Sequence, residues 1–530
     1  MLRVNELKLP ITHSQSEFET KLRKLLGTNE FEYEIIRRSL DARKKPDLFF
    51  SYVVNIQVKN EKKVLQHADK KVVPIDYSVY EFPFSNVTVS ESDRPVIIGL
   101  GPCGLFAALY LARAGARPIV LERGASILER SRIVDDFWNG GKLDKNTNVQ
   151  FGEGGAGAFS DGKLNTLIKD KDGRNRAVLK DLVSFGAPEE ILYDYKPHVG
   201  TDRLREVVSN ISKEIVRLGG EIHYNTCVKD FVVEDNVLVN IVIDNKDLDL
   251  KGHPVGLCIG HSARDTFFVL HDRGIEMTPK SFAVGLRVEH SSKLINRSQY
   301  GSEFVEKLGN ANYKVTYTCK DGRGVYSFCM CPGGYVVNAS SEEGRLCVNG
   351  MSYYDRNADN SNSAIIVTVN PSDYGDEINP LSGIEFQRLL EEKAYKAGNG
   401  RIPVETLDEF KASSVFHDTE KLTPCMKGDY CHANVREVLP EWMNNDIIEA
   451  FDSFGKSIKG FDDDMTLLSA VESRTSSPVR MTRDKAGMSN IFKLFPAGEG
   501  AGYAGGITSA AMDGILTAQN MLSFVFDSNN

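Results

Sequence analysis

The stretch 95–124 constrains the fold of this chain more than any other. Its apolar run Val96–Ile98 has the length of a buried strand and leads into three glycines in the spacing G-x-G-x-x-G, which are Gly99, Gly101 and Gly104. A helix rich in small residues follows, and a second apolar run ends in Glu122. A lone glycine motif is weak, but strand, turn, helix, strand and acid in this order predict a βαβ unit that binds a dinucleotide.

Each glycine of the motif has a physical task. Gly99 allows a tight turn, Gly101 lets the backbone approach a pyrophosphate, and Gly104 lets the helix pack closely on the strand. The helix begins at Pro102 and Cys103. Its unpaired N–H groups carry a partial positive charge that favours phosphate by about 0.3–1 kcal/mol per contact. We expect these five residues to bind the cofactor.

The end of the second strand selects the type of dinucleotide. A carboxylate at Glu122 can accept hydrogen bonds from both ribose hydroxyls of an adenosine, and Arg123 follows it at the same site. An acid in this place disfavours a 2′-phosphate. FAD and NAD are therefore the remaining candidates.

The composition is that of an ordinary globular protein. The 530 residues are 41% hydrophobic, enough for roughly two to four domains with cores of their own. The formal charge of −9 argues against a surface that binds polyanions in general. Nine cysteines without framework spacing indicate a reducing compartment. With neither a signal-peptide pattern nor an apolar run of about 18 residues, we expect a soluble cytoplasmic protein.

Residues 1–92 precede the glycine motif and predict a separate α+β module. Their periodicity alternates in the order βαββαβ, with strands at 2–9, 31–40, 48–58 and 72–80 and helices at 14–26 and 61–67. This order is typical of a ferredoxin-like split-βαβ fold. A basic segment lies between its central strands and contains Arg37, Arg38, Arg43, Lys44 and Lys45. Such a patch can bind RNA or a phosphorylated partner, and a solvated hairpin end is the simpler interpretation.

A second glycine-rich segment, 148–164, follows the βαβ unit. A run so rich in glycine and alanine packs no core, so its backbone is expected to line something flat or charged. We place this loop around a flavin and its pyrophosphate, and a flexible loop is the alternative. The residues predicted to contact the cofactor are Gly154, Gly155, Ala156, Phe159, Ser160 and Asp161.

Two later strands are also expected at the cofactor. The strand at Cys227 and Val228 can offer its backbone to the adenine. The apolar strand that ends at Gly260 is expected to return to the sheet beside the dinucleotide.

The segment 492–514 has the form of a second FAD fingerprint. A strand ends in a turn at Gly498 and Glu499, where the acid can bind ribitol or ribose oxygens. Gly505, Gly506 and Ile507 then open a helix of small residues. Its positive end would stabilise the negative charge that develops at the flavin N1 and C2 oxygen on two-electron reduction. This placement near the C-terminus favours FAD over NAD.

Between the two fingerprints the sequence pattern changes to one of mostly β-strands and turns. Residues 282–464 predict an inserted, mostly antiparallel β domain, with turns at 332–334 and at the dipeptide Asn349-Gly350, which is a strong hairpin signal. We therefore predict an α/β protein with a Rossmann-like FAD-binding domain at 93–281 and 465–530. The inserted substrate domain and the N-terminal ferredoxin-like module complete the chain.

Several segments together resemble a known family. They are PVIIGLGPCGLFAALYLARAG, NVQFGEGGAGAFSDGKL, IGHSARDT, ESRTSSPVR and LFPAGEGAGYAGGITSAAMDG, with DARKKPD in the N-terminal module. The chain is similar to the uncharacterised bacterial FAD-dependent (NAD/FAD-utilising) dehydrogenases over nearly its whole length. The resemblance implies an FAD-binding fold related to glutathione reductase, with an inserted domain as the catalytic cover, and it implies no particular substrate.

Candidate catalytic residues follow two of the apolar runs. The candidate proton handlers are His261, Arg264, Glu472, Arg474 and Glu499. Among them, His261 is a candidate acid or base, and Arg264 or Arg474 is a candidate clamp for an anion. The alternative is that GHSARD only caps its strand and braces the cofactor loops. Cys329 and Cys331 are spaced C-x-C on a predicted strand and could form a redox pair or half a metal site, although ordinary core cysteines are the simpler interpretation. We predict no metal site.

These features predict an FAD-dependent oxidoreductase that transfers hydride between flavin and a small organic substrate. Only one complete dinucleotide fingerprint is present, so NAD(P)H would act at most as a transient electron donor. The alternatives are a flavoprotein that acts on RNA through the basic module, a flavin-dependent monooxygenase, and a flavin-binding scaffold without activity.

Overall fold

A computed structural model describes residues 1–76, 79–166, 168, 170–244, 250–375, 377–414 and 423–528. The protein has a mixed α/β architecture with parallel and antiparallel sheets. Among the helices of these described ranges, none combines the length and the apolar character needed to cross a bilayer.

The N-terminal residues form a four-stranded antiparallel sheet with two helices. Its strands in spatial order are Glu32–Lys44, Asp47–Gln57, Leu2–Pro10 and Val72–Pro74, and its helices are Gln15–Leu26 and Glu61–His67. Ser14 caps the first helix, because its side chain accepts from the Glu17 amide and Glu17 accepts from the Ser14 amide at 2.7 Å. The strand predicted at 72–80 is shorter than expected, and 77–78 lie outside the described residues.

A five-stranded parallel sheet carries the first glycine motif. Its strands in spatial order are Leu494–Pro496, Val255–Leu257, Val96–Ile98, Ile119–Leu121 and Glu221–His223. Each strand has three residues, and parallel strands this short are apolar because helices cover both faces. The associated helices are Pro102–Ala114, Ile127–Trp138, Arg174–Ser184, Thr201–Arg217, Arg264–Asp272 and Ile507–Ser528, and the hairpin Val228–Glu234 with Val237–Ile243 adds to them.

A seven-stranded, mainly antiparallel sheet forms the second large layer. Its strands in spatial order are Thr316–Thr318, Gly324–Cys331, Asn360–Val369, Phe282–Ser291, Leu467–Glu472, Ile402–Thr406 and Tyr430–His432. Helices Ser292–Tyr300, Ser382–Ala397, Leu407–Ala412 and Glu441–Ser457 accompany it. Three short strands form a separate sheet, Val348–Met351, Tyr335–Asn338 and Met426–Lys427, and Met277–Pro279 pairs with Val479–Met481.

The prediction of a hairpin turn at Asn349-Gly350 is wrong. Both residues lie inside the strand Val348–Met351, which pairs with Tyr335–Asn338. A Cβ atom at Gly350 would overlap the buried guanidinium of Arg287. The glycine therefore serves a close side-chain approach rather than a turn, and the turn predicted at 332–334 is confirmed.

Glycines also set the contact between two helices of the parallel layer. A Cβ at Gly104 would overlap the Gly99 carbonyl oxygen and lie 3.2 Å from Cγ2 of Ile97, so helix Pro102–Ala114 packs closely on its strand as predicted. A Cβ at Gly514, in helix Ile507–Ser528, would overlap the Cys103 carbonyl oxygen. The two helices therefore pack backbone to backbone next to the first turn of the earlier one.

The variant Gly514→Ala tests this contact. Alanine favours a helix over glycine by about 1 kcal/mol, but overpacking a tight contact costs about 1–3 kcal/mol. We expect a lower apparent melting temperature. Ser523→Ala, at a half-buried position of the same helix, is the matched control and should leave the melting temperature nearly unchanged. Equal melting temperatures for both variants would contradict the close approach.

Candidate functional site

A cavity lies at the carboxyl edge of the parallel sheet, where four of its strands end. Its volume is about 360 Å³, within the range of about 300–1,000 Å³ that is usual for small-molecule sites. The predicted residues that line it are Gly99, Gly101, Pro102, Cys103, Glu122, Arg123, Gly155, Ala156, Ser160, Asp161, Val228, Gly260, His261, Arg474, Glu499, Gly505, Gly506 and Ile507. The N-termini of two helices therefore face one cavity.

The loop 152–159 brings these two helix ends together. Gly155 has φ of +59° and a Cβ there would lie 2.9 Å from the Gly101 Cα. A Cβ at Gly157 would lie 2.9 Å from Cγ1 of Ile507 and 3.5 Å from Cγ of Pro102. A cradle of bare backbone with helix N-termini suits an anionic dinucleotide, so the residues present fit FAD.

Glu122 braces the wall of the cavity. Its carboxylate accepts hydrogen bonds from the backbone amides of Leu100 at 2.7 Å, Gly124 at 2.9 Å and Gly152 at 3.0 Å. An ionised carboxylate offers about four acceptor positions. Glu122 thus holds both glycine loops in place, which the sequence analysis did not predict. One acceptor position of its carboxylate remains for a ribose hydroxyl. Ribose binding by Glu122 stays a prediction.

Asp161 ties the same loop to the antiparallel part of the molecule. Its carboxylate accepts from Arg356 Nη2 at 2.7 Å and from the Ser352 hydroxyl, and Lys163 Nζ lies 3.5 Å away. Burial opposes the ionisation of Asp161, but the Arg356 and Lys163 cations outweigh it and hold the carboxyl pKa well below its usual range. The loop is therefore anchored by a buried anion.

A buried charge cluster lies behind the wall at Arg474. Glu391 accepts from Arg474 Nε at 2.9 Å and Nη2 at 2.8 Å, and from Arg264 Nη2 at 2.7 Å and Nη1 at 2.8 Å. Burial raises the Glu391 pKa, but the two guanidiniums outweigh it and lower that pKa overall. Arg264 also binds Glu342 at 2.7 Å and does not line the cavity. Both arginines of the predicted anion clamp thus bind carboxylates of the protein.

The titratable groups on the cavity wall differ strongly in their pKa. Burial, with Arg474 and Arg264 nearby, lowers the pKa of His261 to about 3, so its imidazole is neutral near pH 7. Burial raises the pKa of Glu472 to about 7 against the opposing effect of Arg287. Burial also raises the pKa of Glu499 to about 7, against the effect of Lys280. Two carboxyls on the cavity wall therefore have pKa values in the neutral range, which is typical of groups that transfer protons in catalysis.

Six predicted site residues do not line the cavity, namely Gly104, Gly154, Phe159, Cys227, Gly498 and Arg264. Phe159 packs in the core, with the Arg130 and Arg205 guanidiniums 4.6 Å and 4.2 Å from its ring centre. A Cβ at Gly498 would lie 2.8 Å from Cβ of Cys103, so this glycine allows the turn to approach the helix.

Other residues that line the cavity were not predicted as part of the site. They include Gln150, Lys163, Thr226, Phe328, Cys329, Asn349 and Thr475. Glu472, a candidate proton handler in the sequence analysis, also lines the cavity. Lys163 belongs to the glycine-rich segment, and Cys329 and Glu472 had stood out as chemically capable residues. The strand alternation around Phe328 and Asn349 gave no signal, because only the packing of the sheets decides which face of a strand lines the cavity.

Part of the basic segment of the N-terminal module forms ion pairs and hydrogen bonds with other residues of the protein. Arg38 donates to Asp194 at 2.7 Å and 3.0 Å and lies over the rings of Phe50 and Tyr193. Arg43 pairs with Asp41 at 2.7 Å, and Lys45 donates to the Ser298 carbonyl oxygen. Arg38 thus links the module to the loop that follows helix Arg174–Ser184.

The variants Glu391→Gln and Glu392→Gln test the charge cluster. Both residues lie on helix Ser382–Ala397, but the Glu391 side chain is 0% exposed, whereas that of Glu392 is 39% exposed and pairs with Arg345. Removing one member of a buried ionic network costs about 3–5 kcal/mol, and an exposed pair about 0–1 kcal/mol. We expect Glu391→Gln to lower the free energy of unfolding by several times more in chemical denaturation. Similar losses would contradict the role given to the cluster.

Comparison with known proteins identifies relatives of the chain. A family model described as "FAD-dependent protein, C-terminal domain-like" matches residues 281–475, and a domain of unknown function matches residues 1–57. A protein of Clostridium beijerinckii, described as an uncharacterized protein, is 44% identical over an alignment of 529 residues. The match covers 98% of this chain and 98% of that protein.

The solved structures that are similar to the chain are more distant. CtdE in complex with FAD is 14% identical, over 79% of this chain and 82% of that one, with a TM-score of 0.29. Glycerol-3-phosphate dehydrogenase of Bacillus halodurans complexed with FAD is 12% identical, over 83% of this chain and 66% of that one, with a TM-score of 0.35. Halogenase PltM is 10% identical, over 83% of this chain and 70% of that one, with a TM-score of 0.38. On its match to the Clostridium protein and to the FAD-dependent family model, the chain belongs to this family of FAD-dependent proteins, and FAD is its cofactor.

Proposed function

We propose that the protein is an FAD-dependent oxidoreductase that transfers hydride between flavin and a small organic substrate. One observation carries the proposal: two carboxyls with a pKa of about 7, Glu472 and Glu499, line the same cavity as the two glycine-opened helix ends. Hydride transfer to or from carbon requires a group that moves a proton at neutral pH. Membership of the family indicates that FAD is bound, and the cavity lining contains the carboxyls that could carry the proton.

The chain is inferred to have three parts. Residues 93–281 and 465–530 form the FAD-binding domain of Rossmann type, 282–464 form the inserted substrate domain, and 1–92 form a ferredoxin-like module. The parallel strand order, with the strand Val96–Ile98 at its centre, supports the first assignment. The antiparallel pairing of Phe282–Ser291 with Asn360–Val369 supports the second.

Bound FAD would supply two-electron redox chemistry. We assign its pyrophosphate to the backbone around Gly101 and Gly155, and its adenosine ribose to Glu122. Gly505 and Gly506 precede helix Ile507–Ser528, whose positive end would face the flavin where negative charge develops on reduction. The wall formed by Cys329, Asn349 and Glu472 would face the substrate.

Glu499 is the proposed proton carrier. It follows the strand Leu494–Pro496, is half-buried and faces the cavity. Its raised pKa leaves it protonated below about pH 7 and ionised above. The ionised carboxylate can remove a proton from a substrate that is being oxidised, and the acid can return one to a substrate that is being reduced. Glu472, bound to Arg287 at 2.9 Å, is the second carrier on the same wall.

His261 and Arg474 are proposed to position the substrate. A neutral imidazole acts as a hydrogen-bond donor or acceptor rather than as an acid. Three of the donor groups of Arg474 are directed at Glu391 and Ser341, which fixes the guanidinium plane beside the cavity. Together they would orient a polar or anionic group of the substrate.

An anaerobic reduction screen tests the function. The yellow holoprotein is mixed with NADH, NADPH and a panel of small metabolites, and the loss of flavin absorbance is followed. We expect at least one organic donor to bleach the flavin. Rapid NAD(P)H oxidation coupled to oxygen would instead identify a monooxygenase, and no bleaching by any donor would contradict the proposal.

The variant Glu499→Gln tests the proton carrier with the donor found in that screen. The amide cannot ionise, so we expect turnover to fall by about 10²–10⁴-fold while FAD content is retained. For substrate oxidation, wild-type activity should rise with pH through about 7 as Glu499 ionises, and this limb should be absent from the variant.

Two further variants control for general damage at the site. His261→Gln should keep the pH limb, because the histidine is already neutral there, and the exposed Glu129→Gln should behave as wild type. An unchanged pH profile in Glu499→Gln would transfer the role to Glu472 and contradict the assignment.

A further inference from the structure

The strand Gly324–Cys331 ends in an irregular segment that contains two cysteines. Phe328 pairs with Ala364, and Cys331 pairs with Asn362. The strand advances three positions between these two pairs while its partner advances two, so it contains one extra residue, which is a β-bulge. Cys329 sits in this bulge with φ of +42°, a left-handed backbone conformation that is rare for cysteine. The bulge turns Cys329 into the cavity lining, while Cys331 is completely buried behind it.

The two cysteines lie next to each other and share one arginine. The Cys331 thiol donates a hydrogen bond to the Cys329 carbonyl oxygen at 3.3 Å. Arg287 Nη2 donates to the Cys329 carbonyl at 2.6 Å and lies 3.4 Å from the Cys331 sulfur. Gly350 makes room for this guanidinium. The surrounding structure thus holds an otherwise rare local geometry in place.

The electrostatics separate the two thiols. The neighbouring Cys331 thiol lowers the pKa of Cys329 against the effect of burial, and the Lys163 and Arg287 cations contribute. Burial and the neighbouring Cys329 raise the pKa of Cys331. By comparison, burial raises the pKa of the core residue Cys347 to about 12. A cavity-facing thiol of lowered pKa beside a thiol of raised pKa is the arrangement of a reactive cysteine pair.

We propose that Cys329 and Cys331 form a redox-active dithiol that exchanges an electron pair with FAD inside the cavity. In the forward step the two sulfurs lose their protons and form one S–S bond, and oxidised FAD takes up the two electrons and two protons to become its dihydro form. The reverse step cleaves the disulfide. The inference rests on the proposed redox function of the cavity and extends it to compounds that exchange with a dithiol.

Peptide mapping of the holoprotein tests the pair directly. Trypsin releases a fragment, 324–345, that contains Cys329 and Cys331 and no other cysteine. The air-oxidised holoprotein is denatured in excess N-ethylmaleimide without reductant. We expect this fragment to be unlabelled and lighter than the dithiol by two hydrogen atoms, and to be doubly labelled after anaerobic reduction of the flavin. Double labelling in the oxidised protein would overturn the proposal.

Anaerobic dithionite titration gives a second and independent readout. The air-oxidised wild type should take up twice as many electrons per FAD as Cys331→Ser, in which only the flavin is reducible. Cys431→Ser is the matched control, since this half-buried thiol contacts the Gly398 carbonyl at 3.3 Å on another strand, and it should titrate as wild type.

The wild-type titration decides the matter even if a variant fails to fold. If the wild type takes up only the electrons of the flavin, the dithiol proposal falls while the proposed oxidoreductase function stands. If no organic donor bleaches the flavin in the earlier screen but the extra electron pair is found, the oxidoreductase proposal falls and the dithiol stands.

Discussion

The structure depends on a few places where two backbones meet without a side chain between them. Gly101 and Gly155 approach so closely that a Cβ on the second would lie 2.9 Å from the Cα of the first, and Gly514 presses helix Ile507–Ser528 against the start of helix Pro102–Ala114. These contacts bring two helix N-termini, far apart in the chain, to one cavity. An added methyl group at any of them would separate the positive ends that an anionic dinucleotide needs.

Buried charges hold the walls of this cavity in place. Glu122 binds three backbone amides from two loops, and Asp161 links the second loop to Arg356 in the antiparallel part of the chain. Glu391 joins Arg264 to Arg474. Each is a desolvated carboxylate that is stable only because its partners are fixed, so the loops, the antiparallel part of the chain and the helix Ser382–Ala397 form one connected support. This explains why the candidate anion clamp consists of arginines that are already paired.

Sequence reasoning located the cavity where a site follows from local geometry. The first two glycines of the motif, the acid after the second strand and the start of the glycine-opened helix near the C-terminus all line the cavity, because each follows a strand that ends at this edge of the sheet. It was wrong at Asn349-Gly350, where the dipeptide serves the packing of Arg287 instead of a hairpin. It also placed Phe159 at the cofactor, although two arginines and Trp138 enclose that ring in the core.

The sequence by itself determined the dinucleotide-binding chemistry, because glycine spacing, helix polarity and a carboxylate at a strand end act within a short stretch of chain. Only the tertiary structure decided which groups share the cavity with it. The pKa values of Glu472, Glu499 and Cys329 depend on burial and on cations from distant segments. The exposure of Cys329 further depends on a bulge whose register is set by strand Asn360–Val369. Desolvation and long-range charge have no local signature in a sequence, so the sequence could name these three residues as candidates, but only the fold placed them at one cavity with shifted pKa values.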